Sequence, residues 1–70
     1  MSPRQQEEER VLIDAAICSE QRSYAVSMAA VVKSLTSAEP ATAEEIAEVK
    51  AAEAASHEAI AALEYFRRQH

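Results

Sequence analysis

Glycine is absent from this 70-residue chain, and proline occurs only at Pro3 and Pro40. Proline interrupts a helix because it lacks the backbone N–H and its ring clashes with the preceding turn. The rest of the chain is rich in alanine, glutamate and other strong helix formers, and it shows no sustained alternation of the kind that predicts strands. The sequence therefore predicts an all-α fold in which Pro40 marks the one internal break.

The first helix has a clear start signal. Ser2, Pro3 and Gln5 occupy the N-cap, first and third helical positions of a capping box, in which the serine and glutamine side chains bond to each other's backbone. Helical periodicity then continues toward Pro40, which disfavours the α conformation at Glu39. We expect this helix over about residues 3–37.

A second capping box follows Pro40. Thr42 and Glu45 have the Thr-x-x-Glu spacing, so a new helix is expected over about residues 43–69, after a turn at about 38–42. The end of one helix, a short polar segment and the start of a second helix together predict an antiparallel αα-hairpin. The alternative is one long helix with a kink at Pro40. The second capping box favours the hairpin, because a kink does not need it.

Folding the chain about residues 38–40 predicts the register of the two helices. Val31 then lies near Ile46, and the two ends of the chain lie together. The three glutamates at positions 7–9 come close to Arg67 and Arg68, which also complement the negative end of the second helix dipole.

Helix 1 carries two neighbouring apolar stripes at three- and four-residue spacing. The main stripe contains Ile13, Ile17, Tyr24, Met28, Val31 and Leu35, and the second contains Leu12, Ala15, Ser19, Val26, Ala29 and Ala30. Helix 2 has large side chains at Ile46, Val49, Ile60, Leu63 and Phe66, beside an alanine seam of Ala52, Ala55, Ala59 and Ala62. Alanines at this spacing let two helices approach closely, which leaves the larger side chains for a second neighbour.

The hairpin is therefore predicted to have more apolar surface than its two helices can cover. Two hairpins packed as a four-helix bundle solve this problem, and so does an obligate complex with a different protein. The residues predicted to form the dimer or partner interface are Tyr24, Met28, Val31, Leu35, Ile46, Ile60, Leu63 and Phe66. Candidate partner contacts outside that set are Tyr65, with ordinary surface as the alternative, and Arg67 and Arg68, with salt bridges and the helix dipole as the alternative. The ring of Tyr24 is expected in the core, with its hydroxyl at the rim.

The length of the chain allows one domain, over residues 1–70, and chains of this size commonly need a disulfide, a metal or a partner to fold. The single cysteine, Cys18, excludes an intramolecular disulfide, and no Cys/His spacing predicts zinc. The polar N-terminus lacks a signal-peptide core, and no apolar run approaches the ~20 residues of a membrane span. We expect a cytoplasmic protein that contacts no membrane.

The charge of the chain bears on its partners. Twelve acidic and seven basic side chains give a formal net charge of −5. Electrostatic binding of nucleic acid needs a basic face, so this charge argues against it. An acidic surface suits contact with a basic region of another protein.

Two features have a chemical interpretation. Glu53 and His57 are four residues apart on helix 2, with Glu20 expected nearby, and such groups can bind a metal. A solvated salt-bridge pair is the simpler interpretation.

Cys18 needs a base and an orienting group to act as a nucleophile, so we expect it to be a partly buried, small apolar residue. We therefore predict that the chain is not an enzyme and that it has no catalytic, cofactor-binding or metal-binding residues.

These features predict a small protein-interaction module, a homodimer that binds and inhibits or adapts a second protein. The target would be, for example, a host regulator or a DNA-binding protein, with a phage or mobile element as the source. The architecture resembles, in shape, small helical-hairpin dimers such as plasmid copy-control RNA-binding bundles, secretion chaperones and phage-encoded inhibitors of host regulators. The alternatives are a nucleic-acid-binding bundle of regulatory type and a structural subunit or chaperone of a larger assembly.

Overall fold

A computed structural model describes every residue except Met1 and Ala38. Helix α1 spans Pro3–Ser37 and helix α2 spans Ala43–Gln69. They pack against each other as a hairpin, which confirms the predicted all-α fold and excludes a single kinked helix. The rod measures 54 × 15 × 13 Å. The predicted turn at 38–42 includes Ala38, which lies outside the described residues.

Both predicted capping boxes are present. The Ser2 N–H donates to Gln5 Oε1 at 2.9 Å, and the Gln5 N–H donates to Ser2 Oγ at 3.3 Å. At the start of α2, the Glu45 N–H donates to Thr42 Oγ1 at 3.2 Å, and the Thr42 N–H donates to Glu45 Oε1 at 3.4 Å. Each box supplies acceptors to N–H groups that have no partner within their helix, so each helix start is fixed locally.

The last turn of α1 has no C-cap glycine and carries hydroxyl groups that bond back to the helix. Thr36 Oγ1 donates to the Val32 carbonyl at 2.9 Å, and Ser37 Oγ donates to the Lys33 carbonyl at 2.6 Å. These carbonyl groups lie four residues before their donors, so each hydroxyl adds a second hydrogen bond to a carbonyl within the helix. Pro40 then prevents the helix from continuing.

Small side chains fill much of the seam between the helices. The α1 residues that face α2 are spaced alternately by four and three residues. They are Leu12, Ala16, Ser19, Ser23, Val26 and Ala30. The α2 side consists of Val49, Ala52, Ser56, Ala59, Leu63 and Phe66. Steps that average 3.5 residues are typical of a coiled-coil seam. Helix α2 therefore covers Leu12, Ser19, Val26 and Ala30 of the second stripe, whereas Ala15 and Ala29 are exposed. Most of the main stripe lies outside the seam.

Ser56 occupies the middle of the seam and is only 2% exposed. Its hydroxyl donates to a carboxylate oxygen of Glu20 on α1. A buried hydroxyl without a partner costs about 1–3 kcal/mol, so a slip of one helix along the other would be penalised here. This bond therefore helps to set the register of the hairpin.

Two ion pairs link the helices near the ends of the rod. Lys33 Nζ lies 2.7 Å from Glu45 Oε1 at the hairpin tip, and Arg67 Nε lies 3.3 Å from Glu9 Oε2 at the other end. The second pair confirms the predicted approach of the N-terminal glutamates to Arg67. Arg68 forms no ion pair within the described residues. Pairs of this type contribute about 0–1 kcal/mol each, so they orient the helices more than they stabilise them.

Glu45 accepts two side-chain hydrogen bonds at the hairpin tip. Lys33 Nζ donates to Glu45 Oε1 at 2.7 Å, and Thr42 Oγ1 donates to the same oxygen at 3.0 Å. The bond from Lys33, followed by the bond from Thr42, lowers the pKa of Glu45 below its ordinary value. Folding therefore favours the ionised carboxylate.

Ala52 and Ala54 provide a matched test of close packing in the seam. Ala52 is buried against α1, whereas Ala54 is exposed. We expect Ala52→Leu to lower the free energy of unfolding by about 1–3 kcal/mol, because the larger side chain forces the helices apart. Ala54→Leu makes the same change on the surface, and its expected effect is within about 0.5 kcal/mol. Urea unfolding followed by circular dichroism measures both, and equal effects would contradict a close-packed seam.

The hairpin tip should respond to pH. Because the folded-state pKa of Glu45 is lowered, its contribution to stability is complete above the ordinary pKa of 4.5 and is lost as the pH falls through the lowered value. We expect Glu45→Gln, which keeps a capping-box residue, to destabilise the fold near neutral pH and to have less effect at about pH 2. The measurement is urea unfolding at both pH values.

The control for this test is Glu44→Gln, which removes the same charge from the same first turn of α2. Glu44 forms no ion pair in the described part of the chain, so its substitution leaves the tip contacts intact. A pH dependence in Glu44→Gln as large as that in Glu45→Gln would assign the effect to the helix dipole and not to Lys33.

Candidate interaction surface

The main apolar stripe of α1 lies on the outside of the hairpin. Tyr24 is 69% exposed and Leu35 is 79% exposed, while Ile17, Met28 and Val31 are each roughly half exposed. The expectation that Tyr24 lies in the core was wrong, because α2 packs on the other stripe. We refer to these five residues as the exposed stripe.

The exposed stripe carries no charge. Between positions 15 and 37 the charged residues are Glu20, Arg22 and Lys33. Glu20 and Lys33 turn toward α2, where each has a hydrogen-bond partner. Arg22 borders a groove on the opposite flank of the seam, with Ala52 and Ala55 of α2. The outer side of α1 is therefore an uninterrupted uncharged surface over about five turns.

The chain exposes more surface than a compact protein of its size. Its accessible surface is 5397 Å², whereas a compact folded chain of 7.6 kDa exposes about 4,300 Å². Its radius of gyration is 16.0 Å, against about 11 Å for a compact domain of this length. The excess of about 1,100 Å² exceeds the ~800 Å² that each partner typically buries in a stable complex.

The α2 residues predicted for the interface lie in different environments. Ile46 is exposed, Ile60 and Leu63 are half-buried, and Phe66 is buried. Phe66 lines a groove with Leu12 of α1, so it belongs to the core of the single hairpin. Most of the predicted surface that remains open is thus on α1, and its use as an interface stays a prediction.

The two ends of the chain meet at the end of the rod opposite the tip. Gln5 Nε2 lies 2.8 Å from His70 Nδ1, and the rings of Phe66 and His70 have centroids 4.5 Å apart. Sequence reasoning missed the contacts of His70, although the predicted register already placed it near the start of α1. Tyr65 and Arg68 are exposed beside this cluster, as a partner contact requires.

The residues considered for chemistry are not brought together. Cys18 is exposed, so the expectation of a partly buried thiol was wrong. It lies between the seam positions Ala16 and Ser19, about 160° around the helix from the first and about 100° from the second. Glu20 is engaged with a serine of α2 and not with Glu53 or His57. Within the described residues, no group of three or more His, Cys, Asp or Glu side chains is arranged to hold a metal.

In the part of the chain that the structure describes, neither helix combines the length and apolar character that a bilayer crossing requires. Comparison of the chain with protein-family models, with curated proteins and with solved structures gives no match. The exposed stripe and the end of the rod that carries Tyr65 are therefore the surfaces from which a function has to be argued.

Proposed function

We propose that this chain is a non-enzymatic protein-interaction module, a homodimer that binds a second protein and inhibits or adapts it. The observation that carries the proposal is the exposed stripe. Alanine and serine occupy much of the seam, while large apolar side chains lie outside it. An uncharged apolar surface of this extent on so small a chain is typical of a protein contact site.

The energetics of burial support association. Full burial of a large aliphatic or aromatic side chain contributes about 1.5–3 kcal/mol, whereas alanine contributes much less. The large apolar side chains of the exposed stripe therefore retain area that association is able to bury. Small chains of this kind commonly gain stability from oligomerisation, and their helicity then depends on concentration.

The end of the rod opposite the tip supports contact with a second protein. Tyr65 is 63% exposed, and Glu58 lies two turns before it on the same side of α2. At the same end of the rod, Glu7 and Glu8 are exposed and pair with Arg10 and Arg4. The exposed tyrosine suits a contact with a partner, because tyrosine is enriched at interface hot spots. The net charge of −5 favours a basic partner, because charges steer association.

Val31→Asp tests the role of the exposed stripe. Val31 is about half exposed in the single hairpin, so the aspartate is tolerated there, but an interface would bury its charge at a cost of several kcal/mol. We expect the wild type to have at least twice the chain mass by light scattering. The variant should lose mass and, on dilution, helicity measured by circular dichroism.

Ala54→Asp is the control for this substitution. It adds the same charge at an exposed position of α2 and costs more helix propensity than Val31→Asp does. We expect it to keep the mass of the wild type. A wild-type chain that is a stable helical monomer, with helicity unaffected by Val31→Asp, would contradict the proposal.

Tyr65→Ala tests the contact with the second protein. Tyr65 takes no part in the seam, so mass and helicity should remain those of the wild type. Immobilised wild-type chain should retain a protein with a basic surface from a lysate of the source cell, and Tyr65→Ala should retain it about tenfold less. Lys50→Ala, an exposed change nearer the tip, is the control. Equal retention of the partner by all three chains would contradict the proposal that Tyr65 contacts it.

A further inference from the structure

We propose that the exposed stripe binds a second copy of this chain, with the two α1 helices antiparallel about a two-fold axis level with residue 26. This inference rests on the proposed function and specifies its dimer. It states which surface the two chains share, in which direction they run and which side chains meet.

Four of the five residues of the exposed stripe are symmetrically spaced. Ile17, Tyr24, Met28 and Leu35 are separated by seven, four and seven residues, so the order is the same in both directions from position 26. When two copies of α1 run antiparallel about that point, Ile17 lies level with Leu35 of the other copy, and Tyr24 lies level with Met28 of the other copy. The fifth residue, Val31, lies level with Gln21 of the other copy. Each contact occurs twice about a two-fold axis, so four pairs of large apolar side chains meet.

The four side chains also share one side of the helix. A step of seven residues turns an α-helix to within about 20° of its starting direction, and a step of four residues to within about 40°. The stripe therefore stays narrow enough to face a single neighbouring helix. At the centre of the pairing, the flexible thioether of Met28 meets the ring of Tyr24, a contact that is favourable and tolerant of small misfits.

The charge distribution favours a copy of the same chain over a charged partner. Each chain carries a net charge of −5, so two copies repel each other across most of their surfaces. The exposed stripe is the region where they meet without placing like charges together. A basic partner would find no carboxylate there with which to pair.

The exposed area of the chain as a whole is large enough for this pairing, because its excess of about 1,100 Å² exceeds the ~800 Å² that each partner buries in a standard interface. The contact between Lys33 and Glu45 fixes a register in which Ile46 lies near the level of Val31. Ile46 is exposed on α2, so it extends the stripe toward the second copy.

Distances between spin labels reveal the direction and the centre of the pairing. Cys18 is the single cysteine and is exposed, so a nitroxide label attaches to the unmodified chain. Arg4→Cys and Ala25→Cys, each in a Cys18→Ser chain, place labels on the same side of α1 because the three positions are multiples of seven apart. All three positions are exposed and lie outside the exposed stripe.

In the proposed pairing, the separation of two equivalent labels along the axis depends on their position. Each label lies 1.5 Å along the axis for every residue that separates it from position 26, and the label on the other copy lies equally far on the opposite side. The axial separation is therefore about 66 Å at position 4, about 24 Å at position 18 and about 3 Å at position 25. A lateral offset common to the three sites adds to these values. Pulsed dipolar spectroscopy measures the two longer distances, and line broadening reports the shortest. Dilution with unlabelled chain should remove the signal.

Three results would overturn the inference. Equal distances at all three sites mean parallel pairing, and a centre more than about seven residues from position 26 means a different contact. Either result would contradict the antiparallel pairing about position 26 but would agree with the proposal that the chain is a dimer. A helical monomer without dipolar coupling between labels overturns the inference and the proposed dimer together.

A mixing experiment tests the central contact directly. Tyr24→Lys and Met28→Glu should each dissociate the dimer, because each places unpaired charges in the interface. In the mixed dimer, the lysine of one chain lies level with the glutamate of the other, and the second pair keeps the native tyrosine and methionine. Light scattering should find dimer in the mixture at a concentration where each variant alone is monomeric. A mixture that stays monomeric contradicts the contact.

Discussion

The close packing of α1 against α2 depends on Ala16, Ala52 and Ser56, and it decides what the remaining side chains can do. These small residues are the buried positions along the middle of the seam. At these three positions the helices leave no room for a tyrosine or a leucine, and the larger seam residues Leu12, Leu63 and Phe66 lie near one end of the rod. The large side chains of the main stripe lie on the outer side of α1. This uncharged outer surface is a consequence of the way the hairpin closes.

The fold was predictable because its signals are local. Pro40 and the two capping boxes act within a few residues, so they mark the helix boundaries without knowledge of the tertiary structure. The register followed from the position of the break and agrees with the pair formed by Glu9 and Arg67. The end of α1 has no C-cap glycine, and Pro40 is the local signal that stops the helix.

The choice between the two apolar stripes was not predictable in the same way. Both have helical periodicity, and which of them faces α2 depends on the distance between the helices. The expected position of Tyr24 was wrong for this reason. Cys18 belongs to neither stripe, and its burial was expected only from its residue type. The bond between Ser56 and Glu20 was also missed, because neither residue is unusual alone. The seven-residue repeat that places Ser56 between Val49 and Leu63 was the available signal.

The rod shape of the hairpin determines how far apart the two Tyr65 contacts would lie in a dimer. The register places Tyr65 near the level of residue 11, at one end of a 54 Å hairpin. Two rods that pair antiparallel about position 26 carry their Tyr65 ends in opposite directions, about 45 Å apart along the axis. If Tyr65 contacts a partner as proposed, such a dimer would have two identical binding ends that are too distant to meet on one small domain. It would act as a divalent linker, with high avidity for a target that is itself a dimer or carries repeated sites.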